Sequence, residues 1–173
     1  MHKIEQSPIG STIVASKYPD FNFNTLPYLQ ISNHTVRGSL NETQTLLKFN
    51  VEPSICIDVY QIKKAILYLP IENCHPFVET GFQELELFRN TTDFFSHTAT
   101  WNTKPAISLY DTINLETQDL SNGICIDITN LAIDWKENPL QNYGLTLRTP
   151  THNLTLNMCK RGPDNSPKLI ICY

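Results

Sequence analysis

The strongest constraint on this chain is a rhythm of short apolar and β-branched runs, broken at close intervals by Asn, Pro, Gly and Ser clusters. Side chains alternate between two faces along a strand, so a half-buried strand reads as apolar–polar alternation over a few residues. The pattern predicts strands at 11–16, 28–33, 45–50, 55–69, 82–89, 123–129, 144–148, 152–158 and 168–173. Turn chemistry falls between them at Glu52-Pro53-Ser54, Ser121-Asn122-Gly123 and Gly162-Pro163-Asp164-Asn165-Ser166-Pro167. Many short strands at regular spacing imply an all-β fold, here an antiparallel β-sandwich of jelly-roll type. Residues 1–10 read as a flexible polar tail and 11–173 as a single domain.

One short helical segment interrupts the pattern near 130–137. Thr129 is placed to cap it, Leu131 and Trp135 lie four residues apart on one face, and Pro139 ends it. At 173 residues the chain can bury one sizeable core. A hydrophobic share of 40% with 17% charged residues sets it apart from disordered chains. A net charge of -4 supplies no basic footprint, which argues against nucleic acid as a partner. No stretch approaches the roughly 20 apolar residues of a membrane helix, so no membrane insertion is expected.

Strand parity sorts inside from outside. Ile124, Ile126 and Ile128 alternate with Cys125 and Asp127, and Leu169, Ile171 and Tyr173 oppose Ile170 and Cys172. Ile55, Ile57 and Val59 likewise oppose Cys56 and Asp58. The isoleucines and leucines are therefore predicted to face the core, and Cys56, Cys125 and Cys172 to face outward. Five cysteines cannot all pair internally, and no Cys-x-x-Cys spacing suits a metal, so two readings stand. Either all are free thiols, or the outward three form intermolecular disulfides that lock an assembly under oxidising conditions.

Catalytic patterns are missing: there is no nucleophile elbow, no phosphate-binding glycine loop and no His-Glu-x-x-His. Nothing in the sequence brings Asp58, Asp127 and Asp134 together as an acid–base set, and the five histidines are dispersed. No cofactor and no metal site is predicted. The run Asp20-x-Asn22-x-Asn24 resembles half a calcium loop, but Thr25 and Ile31 occupy the positions where an EF-hand needs Gly and Glu. Asx-turns explain it instead. The same loop carries Tyr18, Phe21, Phe23 and Tyr28, which serve either to stack on a ligand or, for Phe21 and Phe23, to close one end of the sandwich. Lys48 beside Phe49 raises an intramolecular isopeptide bond, for which the sequence places no partner. Four Asn-x-Ser/Thr sequons (Asn33, Asn41, Asn90, Asn153) are expected by chance in so Asn- and Thr-rich a chain.

Longer motifs carry a resemblance. Ser11-Thr12-Ile13-Val14 is followed by Tyr18-Pro19-Asp20-Phe21-Asn22-Phe23-Asn24. Thr45–Asn50, Thr100-Trp101-Asn102-Thr103-Lys104-Pro105 and Ile124-Cys125-Ile126-Asp127-Ile128-Thr129 come next. Trp135, Asn142-Tyr143-Gly144-Leu145 and Pro167–Tyr173 complete the series. In this order they resemble the DNRLRE-domain family, also called disaggregatase-related: β-sandwich modules of bacterial and archaeal surface proteins, some of them classed as carbohydrate-binding modules. The resemblance covers nearly the whole chain. It departs from the family in three places: the loop glycine is Thr25 or Leu26, Phe94-Phe95 stand where a tryptophan is common, and the naming hexapeptide is absent.

The resemblance implies binding without turnover, with Trp101, Trp135 and Tyr143 as framework. Met1–Pro8 contain no apolar segment of the kind a signal peptide has, so cytoplasmic synthesis and a cell- or spore-surface location are expected. The first expectation is a non-catalytic structural or adhesive subunit of a surface layer, spore coat or appendage. It would form a homo-oligomer or surface assembly through its cysteines and through a tail that adds to a neighbour's sheet edge. The alternative is a carbohydrate-binding module that recognises a polysaccharide through Tyr18, Phe21, Phe23 and Tyr28.

Overall fold

The computed structural model describes residues 2–51, 58–75, 83–116, 123–162 and 165–173. Within them the apolar alternation is realised as strands β1 (Lys3–Gln6), β2 (Gly10–Ala15), β3 (Tyr28–Val36), β4 (Ser39–Lys48), β5 (Lys64–Leu69) and β6 (Asn73–His75). The second half supplies β7 (Gln83–Asn90), β8 (Ile107–Leu115), β9 (Ile124–Asp127), β10 (Leu145–Arg148), β11 (Leu154–Cys159) and β12 (Lys168–Cys172). Their pairings are antiparallel. One sheet runs β1-β12-β5-β9; the other runs β6-β11-β3-β4-β10-β7-β8, with β2 also paired to β4. The all-β sandwich expected from the sequence is the fold observed.

Parity explains why the two sheets stack. Ala65, Leu67, Leu69, Ile124, Ile126, Leu169 and Ile171 of the smaller sheet are buried in one cluster with Leu29, Ile31, Leu85, Leu87, Leu145, Leu147, Leu154, Leu156 and Met158 of the larger. At roughly 1.5–3 kcal/mol per buried aliphatic side chain, this shared layer is the main source of cohesion. The opposite parity stays outside: Cys125 and Asp127 are exposed, and Lys168, Ile170 and Cys172 are half-buried. Helix α1 (Thr129–Glu137) closes the core by burying Leu131, Ala132 and Trp135, and lies against β5.

Several expectations need correction. The N-terminal segment is not a tail: Ile4 sits opposite Ile171 and packs on the core, because β12 leaves an unpaired edge that β1 satisfies. The long strand expected over 55–69 is broken. Asp58 caps a 3-10 turn at Val59–Gln61 with a reciprocal Gln61 bond, so extended pairing starts only at Lys64. Residues 52–57, including Ile55, Cys56 and Ile57, lie outside the described residues. Thr129 is the first helical residue and does not cap α1. Its hydroxyl instead accepts the backbone N–H of Ala65 at 2.9 Å and donates to Asp127 Oδ1 at 2.6 Å, tying helix to sheet. Strands β1, β6 and β8 were not anticipated.

A second, smaller cluster forms on the outer side of the larger sheet. Val14 and Leu46 are covered there by Phe94, Ala99 and the half-buried Trp101, all on the loop between β7 and β8. The Lys104 ammonium lies 3.2 Å from the centre of the Trp101 ring, and burial pulls its pKa below the usual lysine value. Trp101 and Trp135 are therefore framework, as the motif order implies.

Candidate functional site

The loop between β2 and β3 owes its shape to alternating polar residues. Asn22 donates from Nδ2 to the carbonyls of Ser96 (2.9 Å) and Ala99 (2.7 Å), and its Oδ1 accepts the Asn24 N–H at 3.1 Å. Asp20 accepts from the Asn102 side chain at 2.8 Å, and Asn102 N–H bonds the Pro19 carbonyl at 3.1 Å. At the far end Lys160 reaches up from the end of β11 and donates to both the Asn24 carbonyl and Asn24 Oδ1. Lys160 is only 8% exposed, and burial holds its pKa below the usual lysine value. The Asx-turn expected of this run is present at Asn22–Asn24, but the run does more. Its polar members pin the loop to Ser96, Ala99 and Asn102 on the β7–β8 loop and to Lys160 at the end of β11.

That pinning displays the interleaved aromatics. Phe21 is 58% exposed and Tyr18 52%. Phe23 is half-buried, packs on the core, and stands 4.8 Å from Phe21 and 6.1 Å from Tyr18 between ring centres. The end-plug reading therefore holds in part for Phe23, which packs on the core, and fails for Phe21, which is exposed.

Tyr18, Phe23 and Tyr28 rim a groove of about 340 Å³. Its floor comes from one face of β3: Tyr28, Gln30, Ser32 and His34 alternate with the inward Leu29 and Ile31. Asn41, Glu42 and Thr43 of β4 form the adjoining wall, with Ser32 directly opposite Thr43. The polar groups are held in place by bonds across to β11 and along β4. Gln30 Nε2 donates to Asn157 Oδ1 at 2.9 Å, His34 Nε2 is hydrogen-bonded to the Thr155 hydroxyl, and Gln44 Nε2 donates to Glu42 Oε1 at 2.6 Å. A shallower depression of about 330 Å³, lined by Lys17, Tyr18, Pro19, Asp20 and Phe21, adjoins it and shares Lys17 and Tyr18. Apolar rings around a few fixed polar groups are the composition a ligand-binding concavity needs.

The other sequence candidates do not join this groove. Cys125 is exposed opposite Tyr68, and Cys172 is half-buried opposite Lys64; both lie on the outer face of the smaller sheet. Both are free thiols, as are Cys74 and Cys159; Cys56 lies outside the described residues. The three carboxylates Asp58, Asp127 and Asp134 have structural partners. Asp58 caps the 3-10 turn, Asp127 accepts from Thr129, and Asp134 pairs with Arg89 at 3.2 Å. Lys48 is paired with Asp93 at 2.6 Å. Among the sequons, the amides of Asn33 and Asn90 donate to Thr149, Pro150 and Tyr143 carbonyls, whereas Asn153 is exposed. No group of three or more potential metal ligands occurs among the described residues.

Sequence reasoning missed Gln30, His34, Asn41 and Glu42. A signal existed in the period-two run Tyr28, Gln30, Ser32, His34, which alternates with Leu29 and Ile31. Compared with known proteins, residues 2–173 match the family model of carbohydrate-binding module family 96. No curated protein matches the chain.

Proposed function

The chain belongs to carbohydrate-binding module family 96, and on that premise we propose that it binds a polysaccharide, without turning it over, in the groove rimmed by Tyr18, Phe23 and Tyr28. The observation that carries this reading is the pairing of exposed aromatic rings with a polar floor on one rigid surface. A sugar ring presents an apolar C–H face and an equatorial belt of hydroxyls. The rings match the face, while Gln30, Ser32, His34, Asn41 and Glu42 supply donors and acceptors for the belt. Because the loop is pinned before any ligand arrives, little ordering entropy is lost on binding.

The motifs that resemble those of DNRLRE modules support the same reading. The structural, self-assembling subunit first suggested by the sequence gains no such support. The segment that was to add to a neighbour's sheet is already paired with β12 of its own chain.

The test is retention on an array of immobilised polysaccharides, followed by titration of the retained polymer against Phe23→Ala and Tyr28→Ala. Each substitution removes a central aromatic contact and is expected to weaken binding by about tenfold or more. A protein that binds no polysaccharide, or whose binding ignores both substitutions, contradicts the assignment.

A further inference from the structure

We propose that a second concavity, away from the aromatic groove at the other end of β4, takes one neutral, hydroxyl-bearing ring of about the size of a single sugar unit. It is a separate site, and it stands or falls apart from the groove.

The pocket has a volume of about 250 Å³ and lies where the end of β4 meets α1 and the Pro139–Gln141 turn. Strand β4 carries Thr43 in the groove wall and Lys48 here, about 17 Å apart at ~3.3 Å per residue. The two sites share no lining residue. A cavity of about 150 Å³ holds one benzene ring, so this one has room for a six-membered ring with its substituents but not for two.

The walls sort the ligand's chemistry. Phe49 and Trp135 line the pocket fully buried, whereas Ile9 and Leu140, which also line it, are 64% and 92% exposed. Exposed aliphatic groups beside a pocket fit an occupant with an apolar face. Trp135 supplies an independent sign. It is 1% exposed, and its indole N–H meets no acceptor among the described residues. The neighbouring amide is satisfied by the fold: Asn142 donates to the Phe49 carbonyl at 2.8 Å and accepts the Gly144 N–H at 3.3 Å. A buried donor left alone costs free energy that an oxygen on the ligand recovers.

Charge excludes ions. Lys48 and Asp93 are the charged lining residues, and they neutralise each other across 2.6 Å. Around Trp135 the balance is the same: Asp134 pairs with Arg89 at 3.2 Å, and Lys136 and Glu137 add one charge of each sign. A carboxylate or ammonium entering here would be desolvated without net counter-charge. Asp93 Oδ1 accepts from both the Lys48 ammonium and the Phe94 N–H, which leaves its second oxygen for a ligand hydroxyl. Hydroxyls both donate and accept, so a hydroxylated ring can serve Asp93 and the Trp135 N–H at once. A hydrocarbon serves neither.

The experiment follows the indole N–H signals of the isotope-labelled full chain by NMR. The chain has 2 tryptophans, and Trp101→Phe assigns their signals. The probes are free neutral hexoses, their methyl glycosides, which stand for a chain end, and the matching uronates. A single ring is expected to bind with Kd on the order of 1 mM. The expected result is a saturable shift of the Trp135 signal, and not of Trp101, by at least one neutral probe, with the matching uronate about tenfold weaker or more. Preference for the glycoside identifies a chain end and preference for the free hexose a soluble sugar; both support the pocket. Leu140→Ser, at a residue the core does not need, is expected to weaken binding about 3- to 10-fold, while Tyr28→Ala leaves it unchanged. A Trp135 signal that no neutral probe moves, equal binding of the uronate, or loss of binding on Tyr28→Ala overturns the inference. Retention by the groove is read separately on the polysaccharide array, so an unresponsive pocket with intact retention removes this site and leaves the module.

Discussion

The Asn22 side chain is the clearest point at which stability and binding meet. It makes three hydrogen bonds, two donated to the Ser96 and Ala99 carbonyls and one accepted from Asn24 N–H. Each neutral bond is worth about 0.5–1.5 kcal/mol net, and stranding a carbonyl beside the buried Ala99 adds desolvation cost, so Asn22→Ala is expected to lose about 2–4 kcal/mol. For a chain of this size that lowers Tm by roughly 5–15 °C. Asn22→Asp sharpens the test because it keeps the shape and the acceptor for Asn24. It replaces the donor with an oxygen facing two carbonyl oxygens at 2.9 and 2.7 Å, so at neutral pH it should be at least as damaging as alanine. Below about pH 5 the carboxyl begins to protonate and can donate one bond, so part of the loss should return. Denaturant unfolding at the two pH values measures this, and hydrogen exchange of 20–24 reports the loop. Binding should weaken in proportion to the fraction of molecules with the loop in place. Should Asn22→Ala unfold within about 0.5 kcal/mol of the parent, and Asn22→Asp show no recovery in acid, Asn22 does not hold the loop in place.

Gly144, Lys160 and Asp127 carry further outcomes. Gly144 has φ +84°, and an added Cβ would lie 2.3 Å from the Leu47 carbonyl oxygen; Gly144→Ala should therefore cost about 3 kcal/mol or more by thermal unfolding, and a loss under about 1 kcal/mol would refute it. Lys160→Met keeps the aliphatic stem but removes the bonds to Asn24, so exchange at 23–24 should quicken and affinity fall even if Tm barely moves. Burial lowers the Lys160 pKa, so the unfolded chain holds its proton more tightly; parental stability should rise with pH up to about 10.5, and rise less in the methionine variant. Asp127 has its pKa lowered by the Thr129 hydroxyl and N–H; its contribution is present above about 3.8 and lost as pH falls through the lower folded value, so Asp127→Asn should flatten the acid limb of the stability curve.

The candidate site was legible in part. Tyr18, Phe21, Phe23 and Tyr28 could be named because aromatics in a Pro/Asn loop are conspicuous. The bonds that display them could not, since Asn22 reaches residues 74 and 77 positions away and Lys160 lies 136 from Asn24. Local pattern has no access to such pairs.

Strand by strand, the same division holds. Period-two alternation alone determined the strands that turn one face to the core: Ile124, Ile126, Leu169 and Ile171 are 2% exposed or less, on the faces their spacing required. A strand with one face packed on the core and the other turned outward has to alternate, so its sequence announces it, as for β9 at the end of its sheet. The strands that went unseen, β1, β6 and β8, all stand at the ends of their sheets. An edge strand is held by one neighbour's backbone and need bury little, which leaves Lys3–Gln6 polar and Ile107–Leu115 without a clean alternation. Only the assembled sheets, with unpaired N–H and C=O groups to satisfy, decide where such segments go.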